Sequence, residues 1–204
     1  MQPFGDASLR VRLPEGANGR AVLEALRSLP GLIDAVVSER HAMVTFEPSA
    51  PPHGIEAAIE RALARPGPTA SGRIHTVAVE YRGDDLAEVA RTCGMSTEEV
   101  VAAHADGDYV VAAIGFLPGF GYLRGLDARL AVPRRASPRP RVDPLSVAVA
   151  GPYTGIYPFA SPGGWNLLGT AIDFAPFDVQ NGAALSVGDR VRFTRTSRPR
   201  SAGR

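Results

Sequence analysis

The sequence predicts an α+β fold: a small βαββα unit over residues 1–70, then a compact β barrel or sandwich over residues 71–195. Three observations carry this reading. Within the first 65 residues, apolar side chains alternate at strand spacing and then recur at helical spacing. Arg65-Pro-Gly-Pro-Thr-Ala-Ser-Gly72 has two prolines, two glycines and almost no large apolar residue, the composition of a linker. From Tyr109 to Phe177 the chain carries ten of its fourteen aromatic residues, is rich in glycine and shows no sustained helical periodicity.

Taken in order, Leu9-Arg-Val-Arg-Leu13 alternates as a half-buried strand does, and Pro14-Glu-Gly16 supplies a turn. Val22, Leu23, Leu26 and Leu29 place a helix over Arg20–Leu29, which Pro30-Gly31 ends. Ile33–Val37 and Ala42–Phe46 read as two strands. A second helix, His53–Ala64, with Ile55, Ile59 and Leu63 on one face, completes a unit able to bury one sheet face under its helices. After the linker, Ile74–Tyr81 alternates again. Two short helices follow, Asp85–Cys93 and Ser96–His104; Ser96-Thr-Glu-Glu99 has the form of a capping box. Tyr109–Phe116, Val147–Ala150 and Arg190–Phe193 read as barrel strands, the last entered by a turn at Leu185–Asp189. Residues 196–204 read as a disordered basic tail.

All 22 basic residues among the 204 are arginines, set against 21 acids for a net charge of +1. Near-neutrality gives no reason to expect a nucleic acid or membrane partner. The absence of lysine excludes a Schiff base, a Walker lysine and a biotin-bearing lysine on this chain. One cysteine, Cys93, allows no disulfide within the chain, and His41, His53, His75 and His104 show no metal-ligand spacing. The N-terminal residues lack the pattern of a signal peptide, and no apolar run is long enough to span a membrane, so the cytoplasm is the expected compartment.

Four features can carry chemistry. Gly115-Phe-Leu-Pro-Gly-Phe-Gly-Tyr122 sets glycines among rings; Phe116, Pro118 and Gly119 either border a ligand or form a tight barrel turn over core aromatics. Between Arg124 and Arg141, six arginines meet one acid in a loop stiffened by Pro133, Pro138 and Pro140. Such forks suit a carboxylate or phosphate, unless the loop simply faces water; Arg134 and Arg141 are the two expected to point inward. In Gly151-Pro-Tyr-Thr-Gly-Ile-Tyr-Pro158 and Ala160-Ser-Pro-Gly-Gly-Trp165, Thr154 and Ser161 offer hydroxyls, Tyr157 and Trp165 enclose a small substrate, and Gly163 and Gly164 offer open amides for an oxyanion. A G-x-S-x-G elbow is absent, which argues against a serine hydrolase. His104 is either a general acid or base reaching toward the aromatic segment, or an ordinary partner of its helix terminus. The candidate catalytic residues are thus His104, Thr154 and Tyr157, and the candidate substrate-binding residues are Phe116, Pro118, Gly119, Arg134, Arg141, Ser161, Gly163, Gly164 and Trp165.

The succession Gly115-Phe-Leu-Pro-Gly-Phe-Gly-Tyr-Leu, Gly125-Leu-Asp, Pro133-Arg-Arg, Pro138-Arg, Ala150-Gly, Thr154-Gly-Ile-Tyr-Pro and Ser161-Pro-Gly-Gly-Trp resembles the family of 5-oxoprolinase B subunits. That family is also known as allophanate hydrolase subunit 1, as the kinase inhibitor KipI, and as part of the carboxyltransferase domain of urea carboxylase. The likeness spans roughly residues 5–195. It implies a small α+β domain followed by a cyclophilin-like β barrel. It also implies a partner, the C-type component of the enzyme, itself cyclophilin-like, with a further A-type component. The implied reaction is the ATP-dependent opening of 5-oxo-L-proline, a small carboxylated lactam, to L-glutamate, at a site shared between the components. ATP would enter through the complex, with no metal or covalent cofactor on this chain. Two other roles are implied as alternatives: inhibition of a sensor histidine kinase, and a carboxyltransferase or allophanate hydrolase role in a urea amidolyase-like system. An apolar patch on the barrel follows from such pairing. Three positions depart from the family pattern: Leu145 in place of a glycine, Tyr153 in place of a glutamine, and Thr170 in place of an arginine. A leucine at position 145 is strained if φ is positive there.

Overall fold

The computed structural model describes residues 1–47, 53–64 and 72–197, with only the backbone given for residues 62 and 63. Residues 65–71 of the expected linker and 198–204 of the expected tail lie outside the described residues.

The N-terminal unit is a four-stranded antiparallel sheet built from β1 (Gln2–Pro3), β2 (Ser8–Arg12), β3 (Leu32–Val37) and β4 (His41–Phe46), in the order β1-β2-β4-β3. Helices α1 (Gly19–Arg27) and α2 (Ile55–Ala64) pack against one another beside it. Asn18 caps α1 by accepting from the Ala21 amide at 3.1 Å. Val22 and Leu26 of α1 are buried among Val11, Ala35, Val37, Ala42, Val44, Ile55 and Ile59. The apolar alternation of β4 and the helical spacing of α1 therefore meet in one core, as their periods require. The short β1 strand was not legible in the sequence, because two residues carry no periodicity.

The second unit is a closed seven-stranded barrel. Its strands are β5 (Ile74–Glu80), β6 (Asp108–Ile114), β7 (Gly121–Arg124), β9 (Ser146–Ala150), β10 (Tyr153–Ile156), β12 (Asn166–Ile172) and β15 (Arg190–Arg195). They are ordered β10-β7-β6-β15-β5-β12-β9, and the ends join where β9 meets β10. β15 runs parallel to β5 and antiparallel to β6, closing the barrel as the turn at Leu185–Asp189 predicts. The interior is filled by Val77, Val79, Tyr109, Val111, Leu123, Val147, Ile156, Ala171, Val191 and Phe193.

Helices α3 (Leu86–Cys93) and α4 (Thr97–Ala105) cover one side of the barrel. Ser96 and Glu99 make both bonds of the expected capping box. On another side, β8 (Arg139–Val142) and β11 (Ser161–Gly163) form a two-stranded layer beside the barrel wall. β9 is consequently buried throughout. Ala148 and Ala150 share a core with Val142, Tyr157 and Trp165, while Val147 and Val149 face the other way. A small hairpin, β13 (Phe177–Asp178) with β14 (Gly182–Ala183), completes the chain's strands among the described residues.

The two units meet through a buried carboxylate. Asp189, 1 % exposed, pairs with Arg20 of α1 and accepts from the Arg73 and Ser186 amides at 2.9 Å each, with His75 Nε2 at 3.2 Å. Two clefts open at this junction. One of 420 Å³ lies between Leu23, Arg27 and Val36 on one side and Ile114, Leu185 and Val187 on the other. The second, 340 Å³, runs between Asn18, Glu39 and Arg40 and the barrel residues Val110, Arg124 and Gly188.

Candidate functional site

Asp85 directly precedes α3, where an aspartate ordinarily caps a helix, yet its side chain makes no capping bond. It turns inward and is only 3 % exposed. Its Oδ1 accepts from Arg135 Nη1 and Arg139 Nη2, each at 2.7 Å, and its Oδ2 accepts from the Leu167 amide at 2.8 Å. Burial pushes this carboxyl up. The hydrogen bonds from Arg139 and Leu167 and the charges of Arg139 and Arg135 together outweigh burial and hold it below the ordinary carboxylate value.

One carboxylate thus ties the arginine loop to the start of β12. The loop is fastened on its other side as well: the Arg135 amide donates to the Gly164 carbonyl, and Asn166 Nδ2 to the Pro133 carbonyl, both at 2.8 Å. Two guanidinium groups share this carboxylate, and the charge of the neighbouring Asp84 also acts on Arg139. Arg139 Nη1 and Ser161 Oγ, on the paired strands β8 and β11, are buried with no hydrogen-bond partner among the described residues. Buried donors rarely go unmatched, so this layer has hydrogen-bonding capacity to spare.

Tyr157, 1 % exposed, lies in the same layer. A Cβ on Gly163 would stand 2.5 Å from its hydroxyl, so β11 can pass this close only as glycine. Burial raises the phenol's pKa; a hydrogen bond from the Trp165 amide and the charges of Arg134 and Arg139 oppose that rise without cancelling it. The amide aimed at this oxygen is therefore that of Trp165, next to the pair expected at Gly163 and Gly164. The ring of Tyr157 meets Phe120 edge-on at 5.4 Å, and Phe120 meets Trp165 likewise at 5.3 Å.

His104 and Thr154 come together, but inside the barrel wall. Both are fully buried. The Thr154 hydroxyl donates to the Ala148 carbonyl at 3.0 Å and so must accept from His104 Nε2–H at 2.8 Å. That tautomer leaves Nδ1 to accept from the Tyr81 hydroxyl at 2.8 Å. The imidazole also stacks on Phe193, with ring centroids 4.7 Å apart. Burial pushes its pKa down from 6.5 to about 3. His104 is thus a neutral core histidine with both nitrogens spent, and the expectation that it reaches the aromatic segment as an acid or base is corrected: it faces into the barrel, away from solvent.

Of the two arginines expected to point inward, neither does. Arg134 is exposed, and Arg141, 70 % exposed, pairs among the described residues with the exposed Asp143 at 3.2 Å. Arg139, 19 % exposed, is the one that turns inward, while Arg135 reaches the same Asp85 carboxylate from the surface. Phe116, Pro118 and Gly119 sit at one end of the barrel, where Phe116 touches Phe120 and Tyr157 edge-on. Gly119 has φ +84°, and a Cβ there would meet the Pro176 carbonyl oxygen at 2.5 Å. The structure therefore groups Tyr157, Ser161, Gly163, Gly164 and Trp165 with Phe116, leaves Arg134 and Arg141 at the surface, and removes His104 and Thr154 to the interior. Asp85 was missed. Its one sequence signal was an aspartate at a helix start, which reads as a cap.

At the three positions that depart from the family pattern, Leu145 does adopt the left-handed region at φ +67°. Its amide donates to the Tyr157 carbonyl at 2.7 Å, and its carbonyl accepts from Ala171 at 2.8 Å. Tyr153 leans toward Glu39 of the N-terminal unit, which also pairs with Arg124 at 2.7 Å. Thr170 lies in register with Glu80 and Ser146.

The family described as carboxyltransferase domain, subdomain C and D, matches residues 1–185. The chain belongs to this family. It is 33% identical to the 5-oxoprolinase B subunit of Bacillus subtilis (strain 168), over 97% of this chain and 92% of that protein. It is 47% identical to the 5-oxoprolinase B subunit of Escherichia coli O157:H7, over 54% of this chain and 51% of that one. Among solved structures, TTHA0988 superposes with a TM-score of 0.81 at 40% identity over 95% of this chain. The chain spans only 40% of TTHA0988. The conserved uncharacterized protein PH0987 from Pyrococcus horikoshii matches at 30% identity and a TM-score of 0.58, covering 96% of both chains. The urea carboxylase of Kluyveromyces lactis shares the fold, with a TM-score of 0.70 at 14% identity over 21% of its length. This carboxyltransferase-family chain has no described helix long and apolar enough to cross a membrane, and among the described residues no group of three metal-ligating side chains converges.

Proposed function

We propose that the chain is the B component of a cytoplasmic, ATP-dependent 5-oxoprolinase-like complex that opens 5-oxo-L-proline to L-glutamate at a site shared with a C-type partner. The observation that carries this reading is the near full-length similarity, on both sides, to the Bacillus subtilis protein of that name. The geometry supports it. The β8/β11 layer offers two unmatched buried donors, Arg139 Nη1 and Ser161 Oγ, beside Tyr157, which suits the carboxylate of a small lactam acid. Arg134 and Arg141 are exposed, so in this reading they would meet the ligand from the side of a second chain.

In the reaction the hydroxyl of water adds to the lactam carbonyl carbon, the C–N bond breaks, and the nitrogen takes the proton. ATP hydrolysis supplies the driving force. The nucleotide is assigned to the complex; with no lysine on this chain, any phosphate it contacts here meets arginine, hydroxyl or backbone donors. The test is co-expression with the C-type and A-type partners, followed by an assay of ATP-dependent glutamate release from 5-oxoproline. A folded complex that releases none overturns the proposal. Within an active complex, Arg141→Ala is expected to lower turnover about tenfold or more, as loss of a charged contact to the reacting species does. Because this side chain is 70 % exposed, stability should change by less than about 0.5 kcal/mol.

A further inference from the structure

Three arginines and a histidine gather on the open face of the N-terminal sheet, outside the candidate site. Val11 of β2 points into the core that α1 and α2 cover, so Arg10 and Arg12, on either side of it, point to the opposite face. His41 stands directly across from Arg12 in the β2–β4 pairing. Arg40 precedes it in a turn whose backbone is fastened at two points: the Leu13 amide donates to the Arg40 carbonyl, and the Ser38 amide to the His41 carbonyl, each at 2.8 Å. With Met1 and Gln2, these side chains line a cavity of 400 Å³, within the size range of small-ligand sites.

No acidic side chain lines this cavity. The region as a whole has no basic bias, since residues 1–47 hold five arginines and six acids. Among the described residues the guanidinium groups are also weakly partnered. Arg10 Nη2 donates to the neutral Gln2 Oε1 at 2.7 Å, and Arg12 makes no side-chain hydrogen bond or ion pair. Arg40 reaches Glu15 at 3.4 Å with both side chains exposed, a pairing worth little in water. Like charges set side by side on a sheet repel, so the arrangement costs the fold stability and a ligand of opposite sign would repay it.

We infer that this cavity binds a small anion carrying two or more phosphoryl groups, either a free diphosphate or the polyphosphate of a nucleotide. Each guanidinium presents a planar fork of N–H donors that matches two oxygens of one phosphoryl group, and the His41 ring adds a further donor. Three such forks exceed what one carboxylate can accept, which sets this cavity apart from the β8/β11 layer. The two sites share no residue, and the inference is independent of the proposed reaction.

The test is isothermal titration calorimetry of the full chain at low salt with pyrophosphate, ATP and citrate, alongside the side-chain Nε–H NMR signals of the arginines. Pyrophosphate should bind one to one and shift the signals of Arg10, Arg12 and Arg40, with citrate about tenfold weaker or more. ATP binding more tightly than pyrophosphate makes the ligand a nucleotide, and equal binding makes it a free diphosphate; either supports the inference. Arg10→Gln and Arg12→Gln should each weaken binding about tenfold or more, as loss of a charged hydrogen bond does. Arg27→Gln, in α1 beyond the sheet, should leave binding unchanged. Arg12→Gln removes like-charge repulsion, so it should not lower Tm, a combination that a purely structural role would not give. Three results would each overturn the inference: no heat and no shifted signals, citrate as strong as pyrophosphate, or binding that Arg139→Gln abolishes and Arg12→Gln leaves intact. A short single-stranded DNA that binds more tightly than ATP would overturn it too, by making the face a nucleic-acid surface.

Discussion

Removal of the Asp85 carboxylate is the sharpest probe of the site's architecture. Asp85→Ala leaves Arg139, only 19 % exposed, and the Leu167 amide without their acceptor. Breaking a buried ion pair from one side costs about 3–5 kcal/mol. Arg135, at 36 % exposure, can turn to water and adds little. A loss of about 3–4 kcal/mol is therefore expected, and in a chain of this size that lowers Tm by roughly 10 °C. Asp85→Asn keeps one acceptor oxygen and should lose about half as much. Because the folded-state pKa lies below the ordinary 3.8, the carboxylate's contribution is present in full above that value and is lost as the pH falls through the folded pKa. The assay is urea unfolding at pH 7 and at steps down to pH 3, on both variants and on Asp85→Asn combined with Arg139→Gln. The double variant should lose at least about 1 kcal/mol less than the sum of its single changes, since the two residues share one interaction. Equal midpoints for wild type and Asp85→Ala at pH 7, or strict additivity in the double variant, would refute the clasp.

Other consequences follow from the interior. Thr154→Val strands the His104 Nε2–H and the Ala148 carbonyl, so the denaturation midpoint should fall by the equivalent of about 2–4 kcal/mol, while turnover per folded complex stays unchanged. A turnover loss without a stability loss would return Thr154 to the catalytic set. Burial holds His104 neutral down to about pH 3, whereas its unfolded value is 6.5. The unfolded chain therefore binds a proton that the folded one refuses, and stability should fall between pH 6.5 and 3 by roughly 1 kcal/mol or somewhat more per pH unit. His104→Gln should flatten that slope in urea titrations, and an unchanged slope would assign it to other groups. At Leu145, a glycine removes left-handed strain but also removes half-buried packing, so Leu145→Gly should stay within about 1 kcal/mol of wild type. Leu145→Val puts a β-branched residue at the same φ and should cost more, which thermal unfolding of the pair resolves.

Much of the fold was legible because its signals are local. The spacing of Val22 and Leu26, the alternation of Ala42, Val44 and Phe46, and the Ser96–Glu99 capping box depend on a few adjacent residues, and the structure realises each. The site was only half legible. Glycines and rings between Gly115 and Trp165 mark where backbones pass closely, and the structure shows such passages at Gly119 and Gly163. The roles of individual side chains were not readable in that way. His104 and Thr154 suggest chemistry by residue type, but their depth depends on how the barrel closes around them.

The sequence by itself determined the order of elements, the family pattern and a lysine-free chemistry in which any anion meets arginine, hydroxyl or backbone. Tertiary structure alone decided which arginines reach a buried carboxylate. Arg134, Arg135, Arg139 and Arg141 are alike in type and neighbourhood, and what separates them is Asp85, 50 residues from Arg135 and 54 from Arg139. A buried carboxylate selects the guanidinium groups that the closed barrel brings within reach, and that reach is set by strand pairing, which no local pattern encodes.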